Sequence, residues 1–169
     1  MQEIVIIRHG KAVDRADWTE DDWLRPLTSR GRKDFSYFLE SIRPCLPNLN
    51  WIVTGFLKRG YQSAEIVTET LKAPAWEQFD CVAEDYHFET IWSQIFENRS
   101  GVGAIVGHNP ALGLLINDLL EIESRTPIID LKKGEVCHLK KNGTHYKLKA
   151  LYSPKKTSQI LATFQGKSH

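Results

Sequence analysis

Two histidines each follow a short apolar segment that has the character of a buried β-strand. Arg8 and His9 come directly after the apolar residues 4–7, and His108 follows the apolar run 103–107. Parallel strands of an open α/β sheet end at the edge where ligands bind, so we expect these side chains to line one pocket. The alternative for each histidine is a polar residue that satisfies its neighbours at a strand end.

A histidine and an arginine at such an edge suggest phosphoryl transfer. A neutral imidazole nitrogen that points in line at phosphorus acts as a nucleophile, and the transferred group needs cationic donors around its oxygens. Arg8 supplies one donor. Arg59, at the start of the predicted second crossover helix, is the preferred second donor over Lys58 because a planar guanidinium binds two oxygens at once. The alternative for Arg59 is an exposed arginine at a helix start, where a cation is slightly unfavourable.

A helix start adds further donors to this predicted pocket. His108 and Asn109 precede a helix that is expected to begin at Pro110, a residue that suits the first helical turn. Backbone N–H groups at a helix N-terminus, such as that of Asn109, bind anions. The pocket would therefore combine two arginines, two histidines and amide donors.

The elements that must position these residues follow from the hydrophobic pattern. Strand-like and helix-like segments alternate up to about residue 120, which is typical of parallel strands linked by helices. Strands are predicted at 3–7, 51–54 and 103–106, and helices at 28–42, with Thr28 as N-cap, and at 59–71, 90–97 and 110–120. Two further strands, 135–139 and 146–151, flank Asn142 and Gly143, a pair that favours a type I′ hairpin. We therefore expect a three-layer α/β sandwich with a mostly parallel sheet, an antiparallel C-terminal portion and helices on both faces.

Composition limits the class of protein. The 169 residues fit one domain, 1–169, and 22 Lys and Arg against 21 Asp and Glu leave a formal charge of +1, so no global field favours nucleic acid or an acidic membrane. The sequence enters strand-like residues directly after Met1 and has no long apolar stretch, so a soluble, cytoplasmic protein is expected. Cys45, Cys81 and Cys137 lack the spacing of a disulfide framework or a zinc site.

Two charged regions each allow two interpretations. The segment 12–24 is acidic and contains Trp18 and Trp23, so it is either a functional insertion or a surface loop held by its two tryptophans. Its carboxylates lack the pattern of a calcium loop; they belong to Asp14, Asp17, Glu20, Asp21 and Asp22. A group of lysines near the hairpin predicts a solvated face or a protected sheet edge, with an acidic partner as the alternative; these are Lys132, Lys133, Lys140, Lys141, Lys147 and Lys149.

Four motifs in this order resemble those of the histidine phosphatase superfamily, which has the phosphoglycerate-mutase-like fold. They are Arg8-His9-Gly10, Arg25-Pro26-Leu27-Thr28-x-x-Gly31, Arg59-Gly60-x-Gln62-Ser63-Ala64 and Gly107-His108-Asn109-Pro110. The small size and the second and fourth motifs point to the SixA-like phosphohistidine phosphatase branch. The similarity spans about residues 1–120.

The resemblance implies a role for each matching residue. His9 would be the phosphorylated nucleophile, Arg8, Arg59 and His108 would bind the phosphate, and the reaction would pass through a phosphohistidine that water hydrolyses, without metal or cofactor. The chain departs from the family pattern at Thr54-Gly55-Phe56, where relatives often have Ser-Pro, and at Gly60, where alanine is usual.

Many family members that act on phosphoesters also use an acidic residue as general acid, because an alkoxide leaves poorly without a proton. The candidates here are Glu84 and Asp85, with a charge-rich surface turn as the alternative. If neither serves, phosphohistidine on a protein, such as a histidine-containing phosphotransfer domain, is the expected substrate. The alternatives are a phosphomonoesterase that acts on a small phosphorylated molecule and a non-catalytic module that binds phosphate or docks a partner.

Overall fold

The computed structural model describes residues 3–79 and 87–156. Strands and helices alternate along most of this length, and a hairpin follows them. In chain order the elements are β1 (Glu3–Arg8), α1 (Ser29–Ile42), β2 (Trp51–Thr54), α2 (Lys58–Leu71), β3 (Trp76–Gln78), α3 (Phe88–Ile91, continued by a π-helical turn over Trp92–Phe96), β4 (Gly103–Gly107), α4 (Ala111–Leu119), β5 (Val136–Asn142) and β6 (His145–Tyr152). Short 3₁₀ turns lie at Arg15–Asp17, Asp22–Leu24 and Arg43–Cys45.

The strands form one sheet in the order β3-β2-β4-β1-β5-β6. The first four in this order are mutually parallel, and β5 and β6 pair antiparallel. The expected mixed sheet with an antiparallel C-terminal portion is therefore confirmed. β6 lies at one edge of the sheet, and its lysines are exposed, as an edge strand that must avoid further pairing requires.

Helices cover both faces because buried side chains alternate along the central strands. Ile4 and Ile6 of β1 face a core that α4 and the α3 segment close, whereas Val5 and Ile7 face the core under α1 and α2. The three-layer arrangement follows from this alternation.

Most predicted helix boundaries are within two residues of those observed. The side chain of Thr28 caps α1 by accepting a hydrogen bond from the N–H of Gly31 at 2.8 Å, as predicted. α4 begins at Ala111, so Pro110 is its N-cap residue and not part of the first turn, which corrects the prediction. The short edge strand β3 was missed, because three residues with one half-buried side chain carry no periodicity.

The hairpin turn also differs from the prediction. Asn142 pairs with His145, so the two-residue loop is Gly143-Thr144 and not Asn142-Gly143. Gly143 has a φ of 67° and neither Asn142 nor Thr144 has a positive φ, whereas a type I′ turn needs positive φ at both central residues. The pattern is that of a type II′ turn. Within residues 3–79 and 87–156, every helix is too short or too polar to span a lipid bilayer.

Candidate active site

Strand register places His9 and His108 side by side. In the parallel pair of β1 and β4, Arg8 lies opposite Gly107. The residue that follows each strand is a histidine, so His9 and His108 both lie at the carboxyl edge of the sheet, where α/β proteins bind ligands. The backbone N–H of His9 also donates to the carbonyl of Gly107 at 2.9 Å.

The imidazole of His9 is held in one orientation. Its Nδ1 lies 2.7 Å from the carbonyl oxygen of Gly10, and the side chain is 5% exposed. A carbonyl only accepts, so Nδ1 carries the proton and Nε2 keeps its lone pair. This is the tautomer that a nucleophilic histidine needs.

The surroundings of His9 keep it neutral. Burial is the largest cause that lowers its pKa, to about 3; the Gly10 carbonyl opposes this, and the charges of Arg59, Arg8 and His108 lower it further. An imidazole with this pKa is neutral, with a single ring proton, throughout the physiological range. Arg8, Arg59 and His108, which the sequence analysis grouped with His9, are therefore the side chains whose charges act on its imidazole.

Arg8 is fixed beside His9. Its Nη1 donates to the carbonyl of Leu131 and lies 3.9 Å from Asp130, and its Nε is buried with no hydrogen-bond acceptor among the described residues. A buried donor without an acceptor costs about 1–3 kcal/mol. An anion bound next to His9 would supply that acceptor.

Arg59 is buried, which contradicts the alternative of an exposed arginine at a helix start. Its residue exposure is 5%, and it lies in the first turn of α2. Ser63 connects this turn to the residue after His9, because its hydroxyl donates to the carbonyl of Arg59 at 2.7 Å and accepts from the N–H of Gly10 at 3.1 Å.

Residues 12–28, here called the strap, form a loop that closes on itself between β1 and α1. Ala12 and Leu27 form an antiparallel bridge, and the N–H of Val13 donates to the carbonyl of Pro26. Of the two tryptophans, Trp18 does help to hold this loop, because its Nε1 donates to the carbonyl of Asp21 at 2.9 Å, whereas Trp23 is 47% exposed. Polar contacts hold the strap to the site.

Asp22 of the strap makes the principal polar contacts. Its Oδ2 accepts from Nη2 of Arg59 at 2.8 Å, and its backbone carbonyl accepts from Nη1 of the same guanidinium at 2.8 Å. Its Oδ1 accepts from Nε of Arg25 at 2.7 Å. Burial alone would raise the pKa of Asp22, but the hydrogen bonds and charges of Arg25 and Arg59 lower it.

The side chain of Asn109 has a role of its own, beside the backbone N–H that is expected to bind an anion. Its side-chain Nδ2 donates to the carboxylate of Asp130 and to the carbonyl of Leu131 at 3.0 Å. The side chain thus anchors the segment before β5, to which Arg8 also donates. The backbone of Asn109 lies two residues before α4, next to His108.

Glu84 and Asp85, the candidate general acids, lie outside the described residues. Three positions that shape the site had not been selected from the sequence: Asp22, Ser63 and Asp130. Ser63 is part of the third motif, which gave a signal for its position. Asp22 is one of five similar carboxylates in its segment, so neither its residue type nor its spacing distinguished Asp22 from the other four.

The sequence was compared with protein families and with known proteins. No family model matches the chain. An uncharacterized protein of Picosynechococcus sp. is 31% identical over 114 residues, which cover 66% of this chain and 68% of that protein.

The fold of this chain is similar to those of solved protein structures over about nine tenths of its length. The protein histidine phosphatase SixA, complexed with tungstate, has a TM-score of 0.77 at 17% identity and covers 91% of this chain and 98% of its own. The phosphoserine phosphatase of Entamoeba histolytica, in complex with 3-phosphoglyceric acid, has a TM-score of 0.65 at 15% identity and covers 90% and 98%. The resemblance expected from the four motifs is confirmed for the fold: the chain has the fold of the histidine phosphatase superfamily, including its SixA-like branch.

Proposed function

We propose that the protein is a phosphatase that transfers the phosphoryl group of its substrate to Nε2 of His9 and then to water. The observation that carries this proposal is the state of His9: buried, neutral, with Nδ1 committed to Gly10 and Nε2 left with its lone pair among the charges of Arg8, Arg59 and His108. A nucleophile of defined tautomer beside fixed cationic donors is the arrangement that phosphoryl transfer needs.

Each of the two steps is a displacement at phosphorus. In the first, Nε2 forms a bond to phosphorus and the bond to the leaving group breaks, with its electron pair going to the leaving group. In the second, the oxygen of water forms a bond to phosphorus and loses a proton to solvent, while the Nε2–P bond breaks with its electron pair returning to Nε2, which releases phosphate and restores neutral His9. Arg8 and Arg59 stabilise the charge on the phosphoryl oxygens in both steps.

The substrate class that we propose is phosphohistidine on a protein. Two carboxylates contact the phosphate-binding residues in the described part of the chain, Asp22 at Arg59 and Asp130 near Arg8 and Asn109. For Asp130, hydrogen bonds from Lys132 and Asn109 are the main causes that lower its pKa, and the pKa of Asp22 is lowered as well. Both are ionised at neutral pH and are poor proton donors to an alkoxide.

Cleavage of a phosphoramidate depends less on a general acid in the protein than cleavage of a phosphoester does. The imidazole of phosphohistidine leaves as a neutral molecule once its other ring nitrogen is protonated, whereas an ester oxygen leaves as a strong base unless an acid is within reach. The SixA neighbour supports this class, and the phosphoserine phosphatase neighbour supports the alternative, a phosphomonoesterase that uses Glu84 or Asp85.

The test compares kcat/KM for a phosphohistidine-bearing protein with values for phosphoserine, phosphothreonine and sugar phosphates at one pH. We expect the phosphohistidine protein to be preferred, with only small losses in Glu84→Gln and Asp85→Asn. A phosphoester with the higher kcat/KM, together with a loss of about a hundredfold or roughly 2.7 kcal/mol in either variant, would identify a phosphomonoesterase instead. A protein that binds phosphate but never carries label on His9 after acid quench would be a non-catalytic module.

The phosphate-binding side chains also predict how turnover responds to chelators. Arg8, Arg59 and His108 with nearby backbone amides would compensate the phosphate charge, so we expect EDTA to leave kcat unchanged. Loss of turnover in EDTA that magnesium or zinc restores would contradict this mechanism.

A further inference from the structure

Asp22 joins the buried Arg59 and the partly buried Arg25 through one carboxylate. Oδ2 accepts from Arg59 and Oδ1 from Arg25, at 2.8 and 2.7 Å. The side chains of Arg59 and Arg25 are 6% and 13% exposed, while that of Asp22 is 27% exposed. The guanidinium of Arg59 is therefore held at both terminal nitrogens by a single residue of another segment, since Nη1 donates to the carbonyl of Asp22.

The strap provides Asp22 with a fixed support. Its two ends are joined at Ala12 and Leu27, and the N–H of Leu27 donates to Oε1 of Gln62 on α2 at 2.8 Å. Arg25 adds a second connection inside the strap, because its Nη1 donates to the carbonyl of Val13 at 2.7 Å. Asp22 thus connects a closed loop to the first turn of α2.

An arginine in the first turn of a helix needs such a partner. The N-terminal end of the helix dipole disfavours a cation, and a long side chain loses rotamer freedom when it is fixed. A carboxylate and a carbonyl on the same residue offset both effects and define the plane of the guanidinium. Arg25 shares the carboxylate, and the exposed Arg15 lies 3.5 Å from the same Oδ1, so the cluster of arginines around Asp22 keeps a net positive charge for an anion.

We propose that Asp22 is a positioning residue that holds Arg59 in the orientation in which it binds the phosphoryl group. This inference rests on the proposed function. Asp22 acts on the reaction through Arg59 and does not exchange a proton with the substrate.

The test uses Asp22→Asn with Asp21→Asn as a matched control. Asp21 is the neighbouring residue, and its side chain accepts from the N–H of Trp23, which caps the 3₁₀ turn that contains Asp22. Both variants change the charge of the strap by one, but only the first removes a carboxylate from Arg59. Affinity for tungstate is measured by calorimetry, and kcat/KM with a phosphohistidine-bearing protein.

We expect Asp22→Asn to weaken tungstate binding about tenfold and to lower kcat/KM about 100-fold, as a small misplacement of a substrate-binding group does. Asp21→Asn should stay within threefold of the parent in both measurements. Asp22→Glu, which keeps the carboxylate, should recover part of the loss and also serves if Asp22→Asn does not fold. Tighter tungstate binding in Asp22→Asn than in Asp21→Asn would show instead that Asp22 competes with the anion for Arg59, and would overturn the proposal.

A double variant separates positioning from a structural role. If Asp22 acts through Arg59, adding Asp22→Asn to Arg59→Met should reduce kcat/KM by less than threefold further. An equal loss in both backgrounds would mean that Asp22 merely stabilises the strap, and would reject the inference.

The measurement of tungstate affinity tests the role of Asp22 separately from the proposed function. A parent protein that binds tungstate but does not turn over phosphohistidine would refute the function while the binding comparison still tests Asp22. A parent that binds no tungstate would refute both.

Discussion

Among the residues that the structure describes, His9 and His138 are buried in neighbouring strands or at their ends, and of these two only His9 has the surroundings of a nucleophile. His9 follows β1 at its carboxyl end, with 5% exposure. His138 lies within β5, opposite Val5, with 0% exposure, and its Nε2 is 2.7 Å from the carboxylate of Glu3. Residue type and burial therefore do not distinguish them.

The hydrogen-bond partners of the two histidines select opposite tautomers. The carbonyl of Gly10 holds the proton of His9 on Nδ1, whereas the carboxylate of Glu3 holds that of His138 on Nε2. Burial is the largest cause that lowers the pKa of both rings. A hydrogen bond opposes it at each, with Gly10 at His9 and with Glu3 at His138, and nearby charges reinforce it at both, from Arg59, Arg8 and His108 at His9 and from Lys149 and Lys140 at His138. Depressed basicity is thus common to both, and the position of the remaining lone pair distinguishes them.

The largest difference should be in turnover. We expect His9→Ala to lower kcat at least a thousandfold, about 4 kcal/mol of barrier, because the covalent step loses its nucleophile. His138→Gln should stay within a few-fold of the parent, since its partner Glu3 lies at the opposite end of β1. Steady-state kinetics on both variants, with acid-quenched label mapped to His9, measure this. Activity of His9→Ala within tenfold of the parent would contradict the covalent mechanism.

Stability should respond in the opposite order. His138→Ala leaves the carboxylate of Glu3 without its buried donor and opens a cavity, so we expect a loss of about 2–3 kcal/mol in the free energy of unfolding. Lys140 and Lys149, 3.4 and 3.5 Å from Glu3, limit that loss. His9→Ala should change stability by less than about 1 kcal/mol, because it also removes an imidazole from a cationic site. Urea unfolding of both variants tests the order, and a larger loss in His9→Ala would reverse the comparison.

The smallest of the expected differences is in how the stability of the parent protein and of His9→Gln depends on pH. His9 has a pKa of about 3 in the folded protein against 6.5 when unfolded, so the unfolded chain binds the extra proton between these values. Its contribution to stability is present above pH 6.5 and is lost as the pH falls toward 3. Between pH 7 and 5 the parent should lose about 2 kcal/mol more than His9→Gln, in which this titration is absent. Equal losses in the two proteins would show that His9 is not held neutral.

The edge of the sheet that carries His9 and His108 was predictable from the sequence because local pattern and strand order determine it. The apolar runs before His9 and His108 predicted two strands, and their parallel register brings the two histidines together. Thr28 was predicted as the cap of α1 from its type and position alone.

What the sequence could not provide depends on long-range contacts. Asp22 is one of five carboxylates in its segment, and its pairing with Arg59 spans 37 positions. β3 has only three residues, and Trp76 is held by stacking on Tyr61 at 5.9 Å, a contact with no local pattern. The hairpin loop differed by one residue because Asn142 still pairs with His145, and turn propensity alone does not define register.

The closed base of the strap has a consequence for how this protein can diverge. A loop whose ends are bridged at Ala12 and Leu27 can change its length and composition without moving the strand before it or the helix after it. Gly31 completes that base, because a Cβ at this position would lie 2.1 Å from the carbonyl oxygen of Lys11. The strap can therefore change around Asp22 without displacing His9 or α1, as long as a carboxylate remains opposite Arg59.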